Sequence, residues 1–251
     1  MFCCTPQLDE PCNHQVAPNG DVVLLLENTN APFAIFDHAN APTSTNTGNG
    51  PSFSIGSVTY LVSSHHLKLA SPVFNAALTG PWIESTRPKG GCHRINIKDW
   101  DAEALLIVLN IIHGRNSRVP KTISLEMLCK VSVLVDYYHV HEAVRFPSLL
   151  WVCGLRPSVP ETYSRDLILW LCVSWVFQDD EIFKSVTGVA IRNSTESVPA
   201  LQLPIAEAVV GMSQKHGSAA LLHKYINVII RWDQHAQEGS FLDPRNFSRR
   251  A

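Results

Sequence analysis

The chain has 251 residues, enough for one large domain or two small ones with a substantial buried core. Its formal net charge of −2 favours neither nucleic acid nor an anionic membrane as a partner. Seven cysteines without the spacing of a disulfide framework predict reduced thiols in an intracellular protein, cytoplasmic or nuclear and not secreted. No signal-peptide pattern is present, and no apolar run reaches the roughly 20 residues that span a bilayer.

The N-terminal part alternates between polar segments and one apolar run. Residues 1–20 carry prolines among polar residues and are predicted to form a disordered tail. Residues 21–27 read DVVLLLE, which predicts a buried strand. Residues 28–53 are rich in Asn, Thr, Ser, Pro and Gly, so we expect a mobile low-complexity insertion that cannot offset its ordering entropy.

The next segment predicts a strand, two short helices and a second strand. Residues 58–62 alternate as a half-buried strand does, and Ser63 or Ser64 can cap the helix that follows. Pro72 suits the first turn of the next helix, which a Gly-Pro pair then ends. The alternating sequence RINIK at 94–98 predicts the second strand.

The clearest helix of the chain begins at Asp101, whose carboxylate can cap it, and ends at Gly114. Apolar residues cover nearly its whole circumference, so this helix is predicted to be central and buried. Ser124 can cap another helix, and a further short helix is predicted over residues 138–144.

Residues 145–251 are predicted to form an all-helical C-terminal extension. Helices are expected over residues 167–177, 181–192, 205–212 and 218–232, separated by prolines. No internal repeat of solenoid or propeller length is present, so the extension is not expected to be a repeat array.

The order strand–helix–helix–strand–helix, together with LASPVF at 69–74 and IIHGR at 111–115, resembles the BTB/POZ domain, in particular its short fungal type. The resemblance covers residues 21–144. It implies an α+β fold in which helical hairpins cap a small β-sheet, with the helical extension following. It also implies a protein-interaction domain without catalytic chemistry, which binds copies of itself, cullin scaffolds or other proteins. The family's buried leucine, serine and phenylalanine map to Leu69, Ser71 and Phe74.

Trp82, Ile83 and Glu84 match a shorter pattern within the resemblance. Family members that bind cullins present an apolar residue, any residue and then a glutamate just after the second short helix. An exposed aromatic side chain can anchor an interface, and a neighbouring carboxylate can fix its register. The resemblance therefore predicts an adaptor that links a target to a cullin-RING ubiquitin ligase.

The chain departs from the family at the start of the first short helix. Ser63 and Ser64 stand where many members have a His-Lys pair, so Asp21, the usual acidic partner, is expected to face no lysine. The charged pocket of the transcriptional-repressor members is therefore not predicted. The alternative function in the interaction class is a self-associating scaffold or transcriptional co-factor.

An enzyme, such as a hydrolase built on the C-terminal helices, is the alternative from another class. His65 and His66 lie beside two serines, but no nucleophile-elbow motif and no acidic orienting residue accompanies them. Surface histidines at a helix start are the simpler interpretation. The glycines at 48–50 lack the lysine of a phosphate-binding loop. We therefore predict a protein that is not an enzyme.

Two groups of residues contain side chains that can bind metal ions. Asp136 and His139 would share a helix face, but His141 would point elsewhere. Cys3, Cys4, Cys12 and His14 lack a paired C-x-x-C spacing. Neither group predicts a metal site, and no cofactor or small-molecule substrate is expected.

Overall fold

The computed structural model describes residues 12–36, 56–79, 92–193 and 199–205. It divides the chain into two compact units, Met1–Pro157 and Ser158–Ala251. Across these described residues the fold is mixed α/β, with a small open sheet of four strands and seven α-helices.

The first unit carries the sheet and five of the helices. Its strands are β1 (His14–Gln15), β2 (Val22–Glu27), β3 (Val58–Val62) and β4 (His93–Lys98). Its helices are α1 (Ser64–Ala70), α2 (Pro72–Thr79), α3 (Ala102–Ile112), α4 (Leu125–Tyr138) and α5 (His141–Leu155). The strand order is β1-β3-β2-β4, so β2 and β3 are the inner strands.

Strand β2 is antiparallel to β3 and parallel to β4, with Val22 opposite both Val62 and His93. Four of its six side chains are buried, which explains the near-continuous apolar sequence VVLLLE. The strands predicted at 21–27, 58–62 and 94–98 are confirmed to within one residue at their ends.

Helix α3 is central in the first unit, as its all-round apolar sequence predicted. Eight of its eleven residues are buried. Asp101 caps it by accepting hydrogen bonds from the backbone N–H groups of Glu103 and Ala104 at 3.1 and 3.0 Å. Gly114 follows its end with φ of +66°, the left-handed conformation that glycine adopts without strain. The predicted beginning and end of this helix are therefore confirmed.

The prediction of a disordered tail over residues 1–20 is wrong for the described residues 12–20. Here β1 pairs in parallel with β3 at the edge of the sheet. The Asn13 side chain accepts a hydrogen bond from the Thr59 backbone N–H at 2.9 Å, and the Arg115 guanidinium donates to the carbonyl of Gln15 at 2.7 Å. These partners lie far along the chain, so local composition could not reveal them.

The beginning of the predicted insertion is also held by hydrogen bonds. Asn28 donates to the carboxylate of Asp99, and the side chain of Asn30 accepts from the Ala102 backbone N–H at 3.2 Å. Asn28 and Asn30 therefore attach to the segment that leads into α3 and to its first residue. Residues 37–55 lie outside the described part of the chain.

Leu69 was expected to be buried, and this expectation is wrong: its side chain is 82% exposed, whereas Leu67 is fully buried. Two residues apart on a helix, the two leucines lie on nearly opposite sides, so only one can face the core. The serine and phenylalanine of the same segment, Ser71 and Phe74, are buried as expected.

The short helix predicted at 138–144 is wrong in its bounds. Helix α4 continues to Tyr138 and ends at His139, which has the left-handed φ of 52°. Helix α5 then begins at His141 and continues through Pro147 to Leu155. Pro147 is in the seventh position of α5, where it removes one backbone hydrogen bond without ending the helix.

The described part of the second unit is helical. Its helices are α6 (Arg165–Val176) and α7 (Asp180–Asn193), which confirm the helices predicted at 167–177 and 181–192 to within about two residues. Ser164 caps α6 through a hydrogen bond from the Leu167 N–H. The helices predicted at 205–212 and 218–232 lie outside the described part of the chain, apart from residue 205.

Candidate interaction surface

The beginning of α1 is held by the carboxylate of Asp21, the residue just before β2. The backbone N–H of Ser64 donates to Asp21 at 2.8 Å, and the Ser64 hydroxyl donates to the other carboxylate oxygen at 2.7 Å. The Ser63 side chain, predicted as a possible cap, makes no capping hydrogen bond. Asp21 therefore takes the capping role, and it faces a serine where the resembling family often has a basic residue.

His113, in the first position after α3, holds the same end of α1. Its Nε2 accepts a hydrogen bond from the Ser63 backbone N–H at 3.0 Å, and its Nδ1 lies 2.8 Å from the carbonyl of Leu109. This pattern requires the neutral ring with its proton on Nδ1. Burial, followed by the charges of His66 and Arg115, lowers the pKa of His113 and so favours that form.

The hydrolase hypothesis needs a serine hydroxyl next to a histidine base. The Ser64 hydroxyl instead donates to a carboxylate, and both ring nitrogens of His113 are engaged with the backbone. His65 and His66 are exposed on α1, and the His66 ring stacks on that of His113 at 5.0 Å. The chemistry of this cluster is hydrogen bonding that fixes α1 against the sheet and α3.

Ser71 and Phe74 join the α1–α2 hairpin to the end of α4. The buried Ser71 hydroxyl donates to the Tyr138 carbonyl at 2.6 Å and accepts from the Phe74 N–H at 3.1 Å. The Phe74 ring stacks on the Tyr138 ring with centroids 4.4 Å apart and planes 8° apart. These two residues therefore hold a joint between elements that the sequence separates by more than sixty positions.

The predicted partner-binding residues Trp82, Ile83 and Glu84 fall on residues 80–91, outside the described part of the chain. Helix α2, which precedes them, ends at Thr79, and strand β4, which follows, begins at His93.

The described part of the first unit exposes an apolar stripe on α5 that the sequence analysis missed. We define the α5 stripe as Phe146, Leu149 and Leu150, which are 72%, 57% and 55% exposed. Their spacing of three and four residues places them on one face of the helix. The opposite face is buried and includes Trp151, whose indole N–H donates to the Pro120 carbonyl at 2.9 Å. Solvent-exposed side chains of this size, clustered together, are typical of interaction surfaces.

The spacing of the α5 stripe was present in the sequence. An i, i+3, i+4 pattern of apolar residues does not by itself distinguish a stripe that faces the core from one that faces solvent. Helix α5 carries one apolar stripe that faces the core and one that faces solvent. The apolar pattern of the buried face therefore concealed the pattern of the exposed face.

No group of three or more histidine, cysteine, aspartate or glutamate side chains that could hold a metal ion occurs in the described ranges 12–36, 56–79, 92–193 and 199–205. Among the candidate metal ligands Asp136, His139 and His141, burial and then the charge of His139 lower the pKa of His141 to about 4. Cys12 of the other candidate set donates from its thiol to the carbonyls of His14 and Thr59. Cys3 and Cys4 lie outside the described residues.

The described cysteines (Cys12, Cys92, Cys129, Cys153 and Cys172) are all free thiols. Among the helices that the structure describes, none combines the length and the apolar character needed to cross a lipid bilayer.

Comparison with models of known protein families gives no match, and a search of curated proteins finds no similar sequence.

Proposed function

We propose that the chain is a non-enzymatic protein–protein interaction adaptor whose first unit contains a BTB/POZ-like domain, with a cullin scaffold as its partner. The observation that carries the proposal is the arrangement of β3, β2 and β4 around the α1–α2 hairpin. The hairpin connects β3 to β4, and β2 lies between these strands in the sheet. A small sheet with helical hairpins packed on it is what the sequence resemblance implies.

The contacts of Ser71 and Phe74 give further support. Both belong to the LASPVF segment on which the resemblance depends, and both hold the hairpin to α4. A buried serine that satisfies two backbone groups is hard to replace, because its loss leaves a donor and an acceptor unpaired. A structural role of this kind accounts for a recurring serine in the motif.

The proposed cullin contact is Trp82, Ile83 and Glu84, between α2 and β4. The test is a pull-down of cullin scaffolds with purified full-length protein that carries Trp82→Ala and Glu84→Ala. We expect at least a tenfold loss of cullin binding, since an aromatic anchor at an interface commonly contributes 2 kcal/mol or more. Circular dichroism should show an unchanged fold.

The matched control replaces a glutamate and an apolar residue outside both the α5 stripe and residues 82–84, Glu161→Ala with Ile35→Ala, both of which are exposed. This variant should bind the cullin as the wild type does. Equal binding by the Trp82/Glu84 variant and the wild type, or no cullin binding by either, contradicts the cullin proposal.

Self-association is the second candidate function, and the α5 stripe favours it. The stripe lies between Glu142 near the beginning of α5 and Arg156 at its end. When two copies of α5 pack antiparallel, the stripe meets itself and opposite charges meet at both ends. Size-exclusion chromatography with light scattering should then show a dimer that Leu149→Asp converts to a monomer. A monomeric wild type rules this candidate out.

A further inference from the structure

A half-open cavity of about 380 Å³ lies in the first unit between the edge strand β1 and the C-terminal half of α3. Its wall is formed by His14 and Gln15 from β1, Leu106 and Asn110 from α3, and Arg115 and Arg118 from the segment that follows α3. A volume of this size is typical of sites for small molecules. None of the contacts described above gives this cavity a role in protein binding.

Asn110 is the most informative residue of the cavity. It is only 6% exposed, on a helix whose other buried side chains are all apolar. Its backbone carbonyl accepts from the Arg115 N–H at 2.8 Å, but within the described residues no hydrogen bond reaches its side-chain amide. Because this amide lines the cavity, a bound ligand can form hydrogen bonds with it.

The charge of the wall is positive. Among the described residues that line the cavity, two carry guanidinium groups and none carries a carboxylate. Arg115 uses its Nη1 to donate to the carbonyls of Gln15 and Val16 at 2.7 and 3.0 Å, and this holds the guanidinium beside β1. Arg118 is exposed, and its guanidinium has no hydrogen bond or ion pair with any described residue. The cavity therefore offers a fixed cation and a second one free to close on a ligand.

We propose that this cavity binds a small hydroxy-carboxylic acid. The planar guanidinium fork matches the two coplanar oxygens of a carboxylate. The Asn110 side-chain amide can both donate and accept hydrogen bonds, and its carbonyl oxygen can accept one from a hydroxyl group of the ligand. Leu106 and Val16 provide apolar surface for a short carbon skeleton. A phosphate ion alone would leave most of the volume unfilled. The inference concerns a bound ligand, not a substrate, and does not depend on the proposed adaptor function.

The test is isothermal titration calorimetry of the full chain with malate, succinate and inorganic phosphate as probes. We expect malate to bind, and succinate, which lacks the hydroxyl, to bind several-fold more weakly. Arg118→Gln and Asn110→Leu should each weaken malate binding at least tenfold, since each removes charge-assisted or buried hydrogen bonds. Arg145→Gln, which changes an exposed arginine on α5, is the matched control and should bind malate as the wild type does.

A chemical-shift change of the Asn110 side-chain amide on adding malate would locate the ligand in this cavity. The proposal is overturned by an absence of malate binding at millimolar concentration, by malate affinity that both cavity variants leave unchanged, or by phosphate binding tighter than malate binding. Arg118→Gln alters an exposed side chain, so an unchanged melting temperature will separate loss of the site from loss of the fold.

Discussion

Replacement of Asp101 by alanine should destabilise the first unit by about 2–3 kcal/mol, because this carboxylate has two separable roles. One oxygen caps α3, and the other accepts from Lys130 Nζ at 2.9 Å. The two side chains of this ion pair are only 14% and 18% exposed. Burial lowers the pKa of Lys130, but hydrogen bonds and attraction from Asp101 and Glu126 outweigh that effect and raise it.

The magnitude follows from the two roles taken separately. Loss of an N-cap carboxylate costs about 1 kcal/mol. Removing one member of a fully buried ion pair costs about 3–5 kcal/mol, but here Lys130 keeps Glu126 at 3.1 Å, so we expect about 1–2 kcal/mol. Asp101→Asn retains the capping oxygen and loses only the charge. It should therefore cost about 1–2 kcal/mol, less than the alanine variant.

Native-state hydrogen exchange of the α3 amides in the full chain measures the unfolding free energy of this unit without interference from the second one. A double-mutant cycle of Asp101→Asn with Lys130→Met should give a coupling energy of about 1 kcal/mol. The reasoning is refuted if Asp101→Asn costs as much as Asp101→Ala, or if both cost less than about 0.5 kcal/mol.

The remaining predictions concern acid sensitivity, a buried serine and two glycines. The pKa of His141 is lowered to about 4 in the folded chain, so the unfolded chain binds a proton first as the pH falls below 6.5. The free energy of unfolding should therefore drop by up to about 3 kcal/mol by pH 4. His141→Gln should remove that loss in pH-dependent melting. Ser71→Ala should cost about 1–3 kcal/mol in urea unfolding, because two buried backbone groups lose their partner. Gly20→Ala should destabilise by more than about 2 kcal/mol, since its Cβ would lie 2.5 Å from the Val62 carbonyl oxygen. Gly154→Ala, in open space on α5, should stabilise by about 0.5–1 kcal/mol.

Each of these predictions has a control in the same chain. His65→Gln changes an exposed histidine and should leave the acid sensitivity in place, and equal curves for the two histidine variants would contradict the assignment. Ser117→Ala changes an exposed serine and should cost less than about 0.5 kcal/mol. The two glycine variants control each other, and equal effects on stability would contradict the packing argument.

The elements predicted best from the sequence are those whose signal is local. The strand at 58–62 is rich in β-branched and aromatic residues, although its burial does not alternate as predicted, because Tyr60, Leu61 and Val62 are all buried. Asp101 and Gly114 mark the ends of α3 by cap chemistry that acts within a few residues. Strand β1 escaped prediction because its two residues depend on Tyr60, Leu61 and Arg115, which are remote in sequence. Propensity cannot describe a strand that exists only through its partners.

The candidate sites were harder to predict for the same reason. Ser64 carries a local capping signal, but the cap comes from Asp21, more than forty residues earlier. The segment LKLA offers two leucines, and neither periodicity nor resemblance selected Leu67 over Leu69 as the buried one. Asn110 and Arg118 line the same cavity, and residues of β1 form another part of its wall. Such sites depend on tertiary contacts, which a pattern of residue types does not encode.

The parallel pairing of β2 with β4 has a consequence during synthesis. The edge of β2 that pairs with β4 stays unpaired until His93, about seventy residues after Val22, has been synthesised. At about 5–20 residues per second, a ribosome takes roughly 4–14 s to make that length of chain. During that time the newly made β2 exposes apolar side chains and unpaired backbone N–H and C=O groups to its surroundings. We expect chaperones to associate with nascent chains that end before β4 and to leave once β4 has emerged.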